Sequence, residues 1–210
     1  MTTLEAATLV SLAWAVIGLG AAVATAWGRG TARVAGVSSE PAWPGIAYAF
    51  GRGMSPRAKE SASNHPWIYA GGILYHAGIA TAAFALALTL ARIRVPLPVA
   101  AALAILLFAA VAAGAGLFAR RMNSVLLRAI SAPDDYASNL LVDGWLAAAA
   151  FAVILPETTP AFLIATIVLG VYAPLGKIRH CVFFLVARAE FGARLGRRGI
   201  IRARRHGVQQ

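Results

Sequence analysis

Long stretches without charge are the feature that most constrains this chain. Residues 6–28, 61–91 and 95–119 contain no Asp, Glu, Lys or Arg. A membrane-spanning helix needs roughly 20 consecutive apolar residues, so each run is long enough to cross a bilayer. Only 13% of the residues are charged, which is about half the share usual in a soluble domain. The chain is therefore predicted to be an all-α integral membrane protein, with one membrane domain over residues 1–210.

Two further apolar runs follow, which gives five predicted spans. The fourth run begins after Tyr136 and is interrupted only by Asp143, and the fifth continues past Gly176 through the segment KIRHCVFFLVA. A loop at 29–66 joins the first two spans, and a basic tail at 188–210 follows the last. The predicted helices cover residues 6–28, 67–91, 95–119, 137–156 and 158–187.

Basic residues are distributed unevenly between the two sides of this arrangement. All but two of the 19 Lys and Arg residues fall in the loop at 29–66, in the loop after the third span or in the chain from Lys177 onward; the exceptions are Arg92 and Arg94. Because cytoplasmic loops carry an excess of Lys and Arg, the N-terminus is predicted outside and the C-terminus in the cytoplasm. The tail is expected to bind anionic lipid or a protein partner. Nucleic acid is not expected, since the tail directly follows a membrane span.

Two histidines lie at similar predicted depths in the membrane. His76, in the run GGILYHAGIA, lies about 13–14 Å from the start of the second span, and His180 lies about 12 Å from the end of the antiparallel fifth span. Ionisable residues within a span are rare and usually functional. Two imidazoles at matched depth could bind the iron of a b-type haem from both sides. Alternatively, each histidine is a hydrogen-bonded packing residue or part of a proton path.

Neighbours of the two histidines fit the haem prediction, although they have simpler explanations. Gly72 and Gly78 would let a flat macrocycle approach the helix, and Lys177 and Arg179 could pair with its propionates. Small residues also serve helix packing in membranes. The two cations could equally extend to the membrane interface.

Three residues before the second span could serve a quinone or its protons. Pro66 is expected in the first helical turn, which places His65 just outside the helix, at the interface. An interfacial histidine titrates near neutral pH, so His65, with Lys59 and Glu60, could handle protons. Otherwise these three residues belong to a solvated loop.

Asp143 interrupts the fourth span. A charged carboxylate within a membrane span is costly without a partner. Asp143 is therefore expected to form an ion pair with Lys177 or Arg179, or to help carry protons to a quinone.

Several segments resemble a known family. YHAGI in the second span, PLGKIRHCVFFL in the fifth and the five-helix plan with an external N-terminus resemble the membrane cytochrome b (gamma) subunit of respiratory nitrate reductase. The segment GMSPRAKESASNHPWIYAGGILYHAGI and the tail FGARLGRRG are still more similar to its relatives in sulfite-reductase-associated and heterodisulfide-reductase-like membrane complexes. The resemblance covers most of the chain, best over residues 45–200.

The resemblance implies a multi-pass subunit of the bacterial inner membrane that contains haem b. It implies that His76 and His180 are the axial ligands of the haem nearer the cytoplasm. Such a subunit would pass electrons between membrane quinone and a cytoplasmic iron–sulfur partner subunit. Quinone would be its substrate, and the subunit would not be catalytic alone. The partner must supply the clusters, because Cys181 is the only cysteine of the chain.

The chain departs from this family at the position of a second haem. The corresponding histidines would fall at Leu86 and Phe162, and neither side chain can ligate iron. One haem is therefore predicted. A second would need His65 or His206 as a ligand.

Two other functions stay open from the sequence. One is a haem-free membrane anchor that docks a cytoplasmic redox enzyme through its basic face. The other is a proton-coupled transporter that uses His76, Asp143 and His180, although the internal repeat typical of such proteins is not visible in the sequence.

Overall fold

The computed structural model describes residues 1–28, 40–56 and 63–201. These residues are predominantly helical and contain no β-strand, which confirms the all-α prediction. Short 3₁₀ turns occur at Arg52–Met54, Pro156–Thr158 and Lys177–Arg179. The α-helices are α1 (Thr3–Gly28), α2 (Trp43–Phe50), α3 (Pro66–Leu90), α4 (Leu97–Asn123), α5 (Val125–Ala129), α6 (Pro133–Ile154), α7 (Thr159–Tyr172) and α8 (His180–Arg197).

Four of these helices, α1, α3, α4 and α6, are long and apolar enough to cross a membrane. The pair Pro156–Tyr172 and Lys177–Arg197 passes the same test only together, and gives a fifth span if it is one broken span. Each of the four lies close to a predicted run. The largest differences, four residues each, are at the end of α4, which reaches Asn123 rather than 119, and at the start of α6, which begins at Pro133 rather than 137. The early start of α6 has a physical reason, because Pro is well suited to the first helical turn and Asp135 accepts the backbone N–H of Ala132 at 2.9 Å.

The predicted continuous helix over 158–187 is wrong. The chain leaves the helix after Tyr172, whose carbonyl accepts the backbone N–H groups of both Leu175 and Gly176 in a tight turn. Pro174 lies within this turn, and it has no N–H with which to continue the helical hydrogen bonds. His180 is therefore the first residue of a separate helix, and a depth calculated along one straight span does not apply to it.

The chain forms two compact units, and the single membrane domain over residues 1–210 stays a prediction. Unit 1 contains Met1–Gly20 and Trp67–Arg179, and unit 2 contains Ala21–Pro66 and His180–Gln210. The core of unit 1 is made by α3, α4, α6 and α7, and its buried residues include Leu86, Leu107, Leu146 and Phe162. Inside this core the Trp145 indole N–H donates to the Thr166 hydroxyl at 2.9 Å, so the buried indole is satisfied.

The two ends of the helices in unit 1 are fixed by charged side chains. At one end Arg92, just after α3, forms an ion pair with Glu5 near the start of α1, at 2.8 Å. At the other end of α4, Arg121 lies 3.3 Å from the Asp135 carboxylate, which also binds Lys177. The chain segments around Glu5 and Arg92 thus share one end of unit 1, and the ends of α4 and α7 meet the start of α6 at the other.

Unit 2 is built on a close crossing of α2 and α8. A Cβ atom added to Gly192 would lie 2.7 Å from the Gly45 carbonyl oxygen, so glycine is needed for the two backbones to approach this closely. Arg188 of α8 donates to the Ala49 carbonyl at 2.8 Å and to the Gly53 carbonyl at 2.6 Å. These bonds satisfy backbone acceptors at the C-terminal end of α2. The segment GIAYAFGRGM is thus largely helical, and its α2 part packs against α8.

Candidate functional site

His76 lies on an exposed face of α3, ten residues after the helix begins. Its Nδ1 atom lies 2.7 Å from the carbonyl oxygen of Gly72, one helical turn earlier. A carbonyl oxygen only accepts hydrogen bonds, so Nδ1 carries the proton in this contact. In the neutral form of an imidazole with this proton, Nε2 is unprotonated. Metal-bound histidines commonly have this arrangement, in which the second ring nitrogen donates to a carbonyl or carboxylate.

His180 is exposed at the first position of α8. It belongs to unit 2, whereas His76 belongs to unit 1. The pairing of the two imidazoles therefore stays a prediction from the sequence.

The cations next to His180 have partners within unit 1. The Lys177 ammonium group binds the buried carboxylate of Asp135, which also lies close to Arg121. The Arg179 side chain donates through Nε to the Gly176 carbonyl at 3.1 Å. The expected pairing of Asp143 with Lys177 or Arg179 is not formed. Asp135 thus joins three chain segments, a role that the sequence did not predict.

The two glycines near His76 differ in their surroundings. Gly72 has open space where a Cβ atom would stand, and its carbonyl accepts the His76 bond. Gly78 is buried, with Ala110 and Leu146 where a Cβ atom would stand. Gly78 thus serves helix packing, the simpler of its two predicted roles, and Gly72 lies on the open side near the imidazole.

Asp143 lies in a small polar cluster within the apolar part of unit 1. Its Oδ2 atom accepts a hydrogen bond from the Asn139 amide at 2.9 Å, and the same amide lies 3.3 Å from the Tyr75 hydroxyl. That hydroxyl is 3.5 Å from the backbone carbonyl of Asn139. The other carboxylate oxygen, Oδ1, is buried without a hydrogen-bond partner.

Gly114 of α4 provides the space for this cluster. A Cβ atom at Gly114 would overlap the Asp143 carboxylate and the Tyr75 ring. Sequence reasoning missed Tyr75, Gly114 and Asn139. The available signal was the spacing of Asn139 and Asp143, four residues apart on one helix, where side chains are neighbours.

The remaining predicted residues of the quinone or proton site fall in different places. His65 is exposed and directly precedes α3, so the expectation that it lies just outside the helix is confirmed. Lys59, Glu60 and His206 lie outside the described residues. Among the described residues no group of three or more His, Cys, Asp or Glu side chains is arranged to hold a metal ion.

Leu86 and Phe162 belong to the same apolar core cluster of unit 1. Phe162 is fully buried, and its ring lies 6.1 Å from the Trp145 ring. Packed apolar side chains thus occupy the two positions that would correspond to a second pair of haem ligands.

No family model, characterised protein or solved structure in the comparisons matches this chain.

Proposed function

We propose that the chain is a membrane-anchored b-type cytochrome subunit of a respiratory oxidoreductase complex. In this proposal His76 and His180 hold the iron of one haem b, and the subunit transfers electrons between the quinone pool and a cytoplasmic iron–sulfur partner. The haem would supply one-electron transfer, with a potential tuned by its axial ligands and their hydrogen bonds. The chain's own residues bind the iron, orient the imidazoles and hold the surrounding helices.

The observation that carries the proposal is the hydrogen bond between His76 Nδ1 and the Gly72 carbonyl. Such a bond places the proton on Nδ1, which leaves Nε2 free to ligate a metal when the ring is neutral, and it orients the ring. The imidazole is exposed on the helix, with open space beside Gly72. A histidine serving only to pack α3 against its neighbours would be expected on a buried face.

The core position of Leu86 and Phe162 supports one haem rather than two. A porphyrin at that level would have to displace the packing between Phe162 and Trp145. The proposal therefore does not require electrons to cross the full thickness of the membrane through two haems in this chain.

The contacts at the two ends of unit 1 support the proposed orientation. The end with Glu5 and Arg92 would face outward, and the end with Arg121 and Lys177 would face the cytoplasm. This assignment gives the more basic end to the cytoplasm, as the distribution of Lys and Arg in inner-membrane proteins requires. The same basic face is the surface proposed for the iron–sulfur partner and for anionic lipid.

A reduced-minus-oxidised visible spectrum of the purified protein, with haem quantified per chain, tests the proposal. We expect a b-type spectrum and about one haem per chain, on the ligation argued above. His76→Ala and His180→Ala should each abolish haem retention. His65→Ala is the matched control, because it removes a histidine just outside the same helix and should leave the haem in place.

Normal haem content in the His76→Ala or His180→Ala protein would refute the ligand assignment. Two haems per chain would refute the one-haem prediction. A folded protein without haem, produced in haem-sufficient cells, would refute the cytochrome and favour a haem-free anchor that docks a redox enzyme.

A further inference from the structure

Asp143 is a partly buried acidic residue of an apolar helix bundle, and its Oδ1 atom is fully buried. The helices α4 and α7 pack against α6, and so do the 3₁₀ turns Pro156–Thr158 and Lys177–Arg179. Residues 97–119 of α4 and 159–172 of α7 contain no Lys, Arg or His, and Arg121 at the end of α4 pairs with Asp135. In the second turn, Lys177 binds Asp135 and Arg179 donates to the Gly176 carbonyl. The titratable group of α3 that faces Asp143 is the Tyr75 phenol. No described cation therefore forms an ion pair with this carboxylate.

The two oxygens of the carboxyl group are unequally satisfied. Oδ2 accepts one hydrogen bond from Asn139, and Oδ1 is buried against Gly114 and the Tyr75 ring without a partner. An ionised carboxylate has about four lone-pair sites for hydrogen bonds. Leaving most of them unused, with no counter-ion, is far more costly for a charged than for a neutral carboxyl group.

We propose that Asp143 is an intramembrane proton-binding residue that holds one exchangeable proton as a neutral carboxylic acid. This deepens the quinone and proton role expected for Asp143. The use of this proton in quinone reduction rests on the proposed function, whereas binding of the proton by Asp143 does not. If the chain reduces quinone, the reaction needs protons as well as electrons, and Asp143 would store one of them.

A polar stripe along α6 provides access for the proton. Asp135, Asn139 and Asp143 follow one another at intervals of four residues and so share one face of the helix. The stripe begins at the charged cluster of Asp135, Arg121 and Lys177, and it reaches about 12 Å along the helix to Asp143. Asn139 lies between the two acids along this face, and its amide lies within 3.3 Å of both the Asp143 carboxylate and the Tyr75 hydroxyl.

Isotope-edited infrared spectroscopy of the full chain in lipid vesicles tests this proposal. The chain contains three aspartates, Asp134, Asp135 and Asp143, so labelling the aspartate carboxyl carbon with ¹³C gives few signals. At neutral pH we expect one labelled carboxylic-acid C=O band in addition to carboxylate bands. Asp143→Asn should remove the acid band, and Asp135→Asn should leave it in place.

Exchange of the proton is tested by transferring the same vesicles to D₂O. We expect the acid band to shift as the proton is replaced by deuterium. Asn139→Leu breaks the stripe and should slow the shift several-fold without removing the band. Ser138→Ala is the matched control, because Ser138 donates to backbone carbonyls of its own helix and should leave the rate unchanged.

Absence of an acid band from the wild-type protein would overturn the proposal, even if every variant failed to fold. A band that does not shift in D₂O would refute the claim that the proton is exchangeable. An unchanged exchange rate in Asn139→Leu would refute the claim that the proton reaches Asp143 along the polar stripe. None of these results depends on haem. Loss of haem from the histidine variants and loss of the acid band are therefore separate failures.

Discussion

Replacing Asp135 by Asn should destabilise unit 1 by about 2 kcal/mol. The Asp135 side chain is only 4% exposed, and it faces Arg121 and Lys177, whose side chains are 35% and 53% exposed. Hydrogen bonds to charged groups contribute about 1.5–3 kcal/mol, whereas fully exposed ion pairs contribute about 0–1 kcal/mol. The Asp135 carboxylate is buried but its two cations are partly solvated, so the expected cost lies in the lower part of the first range. The Asn oxygen can still accept the backbone N–H of Ala132, so helix capping is retained.

The assay is equilibrium unfolding in detergent micelles, followed by tryptophan fluorescence. A loss of 2 kcal/mol corresponds to about a thirtyfold change in the unfolding equilibrium constant. Glu190→Gln is the control, because the Glu190–Arg194 pair is exposed at both side chains and separated by 3.9 Å. It should cost less than about 0.5 kcal/mol. A cost for Asp135→Asn as small as that of the control would refute the idea that the buried carboxylate joins the ends of these helices.

Two further substitutions test other contacts. Thr166→Val keeps the shape of the side chain but leaves the buried Trp145 indole N–H without an acceptor, and should cost about 1 kcal/mol in the same unfolding assay, near the range measured for hydrogen bonds between membrane helices. Arg188→Gln removes the donors to the Ala49 and Gly53 carbonyls, and should speed amide hydrogen exchange in α2 several-fold, measured by mass spectrometry.

Each substitution has a matched control. Thr158→Val removes an exposed hydroxyl that donates to the Leu155 carbonyl, and it should change the unfolding free energy by less than half as much as Thr166→Val. Arg197→Gln removes an exposed arginine from the end of the same helix as Arg188, and it should leave exchange in α2 unchanged. Equal effects of variant and control would contradict the contact in question.

The apolar helices could be predicted from the sequence, because run length and absence of charge are local properties. The break after Tyr172 was available in the sequence as Pro174 and Gly176, but the apolar residues of the following segment hid it from an argument based on hydropathy. The partners of Asp135 and Asp143 could not be predicted in the same way. They depend on which helix ends meet, and Lys177 is nearly as close along the chain to one acid as to the other.

Two aspartates on one face of α6 differ in chemistry only through their surroundings. Asp135 lies at the helix start, where Arg121, Lys177 and the Ala132 N–H neutralise and saturate it. Asp143, about 12 Å further along the helix, meets an amide, a phenol and the bare Cα of Gly114. A group whose charge is already compensated stabilises by staying ionised. A carboxylate with no compensating cation is the one that most readily binds a proton. A replacement of Gly114 that displaces the Asp143 carboxylate should therefore disturb proton binding, while Asp135 still joins the helix ends.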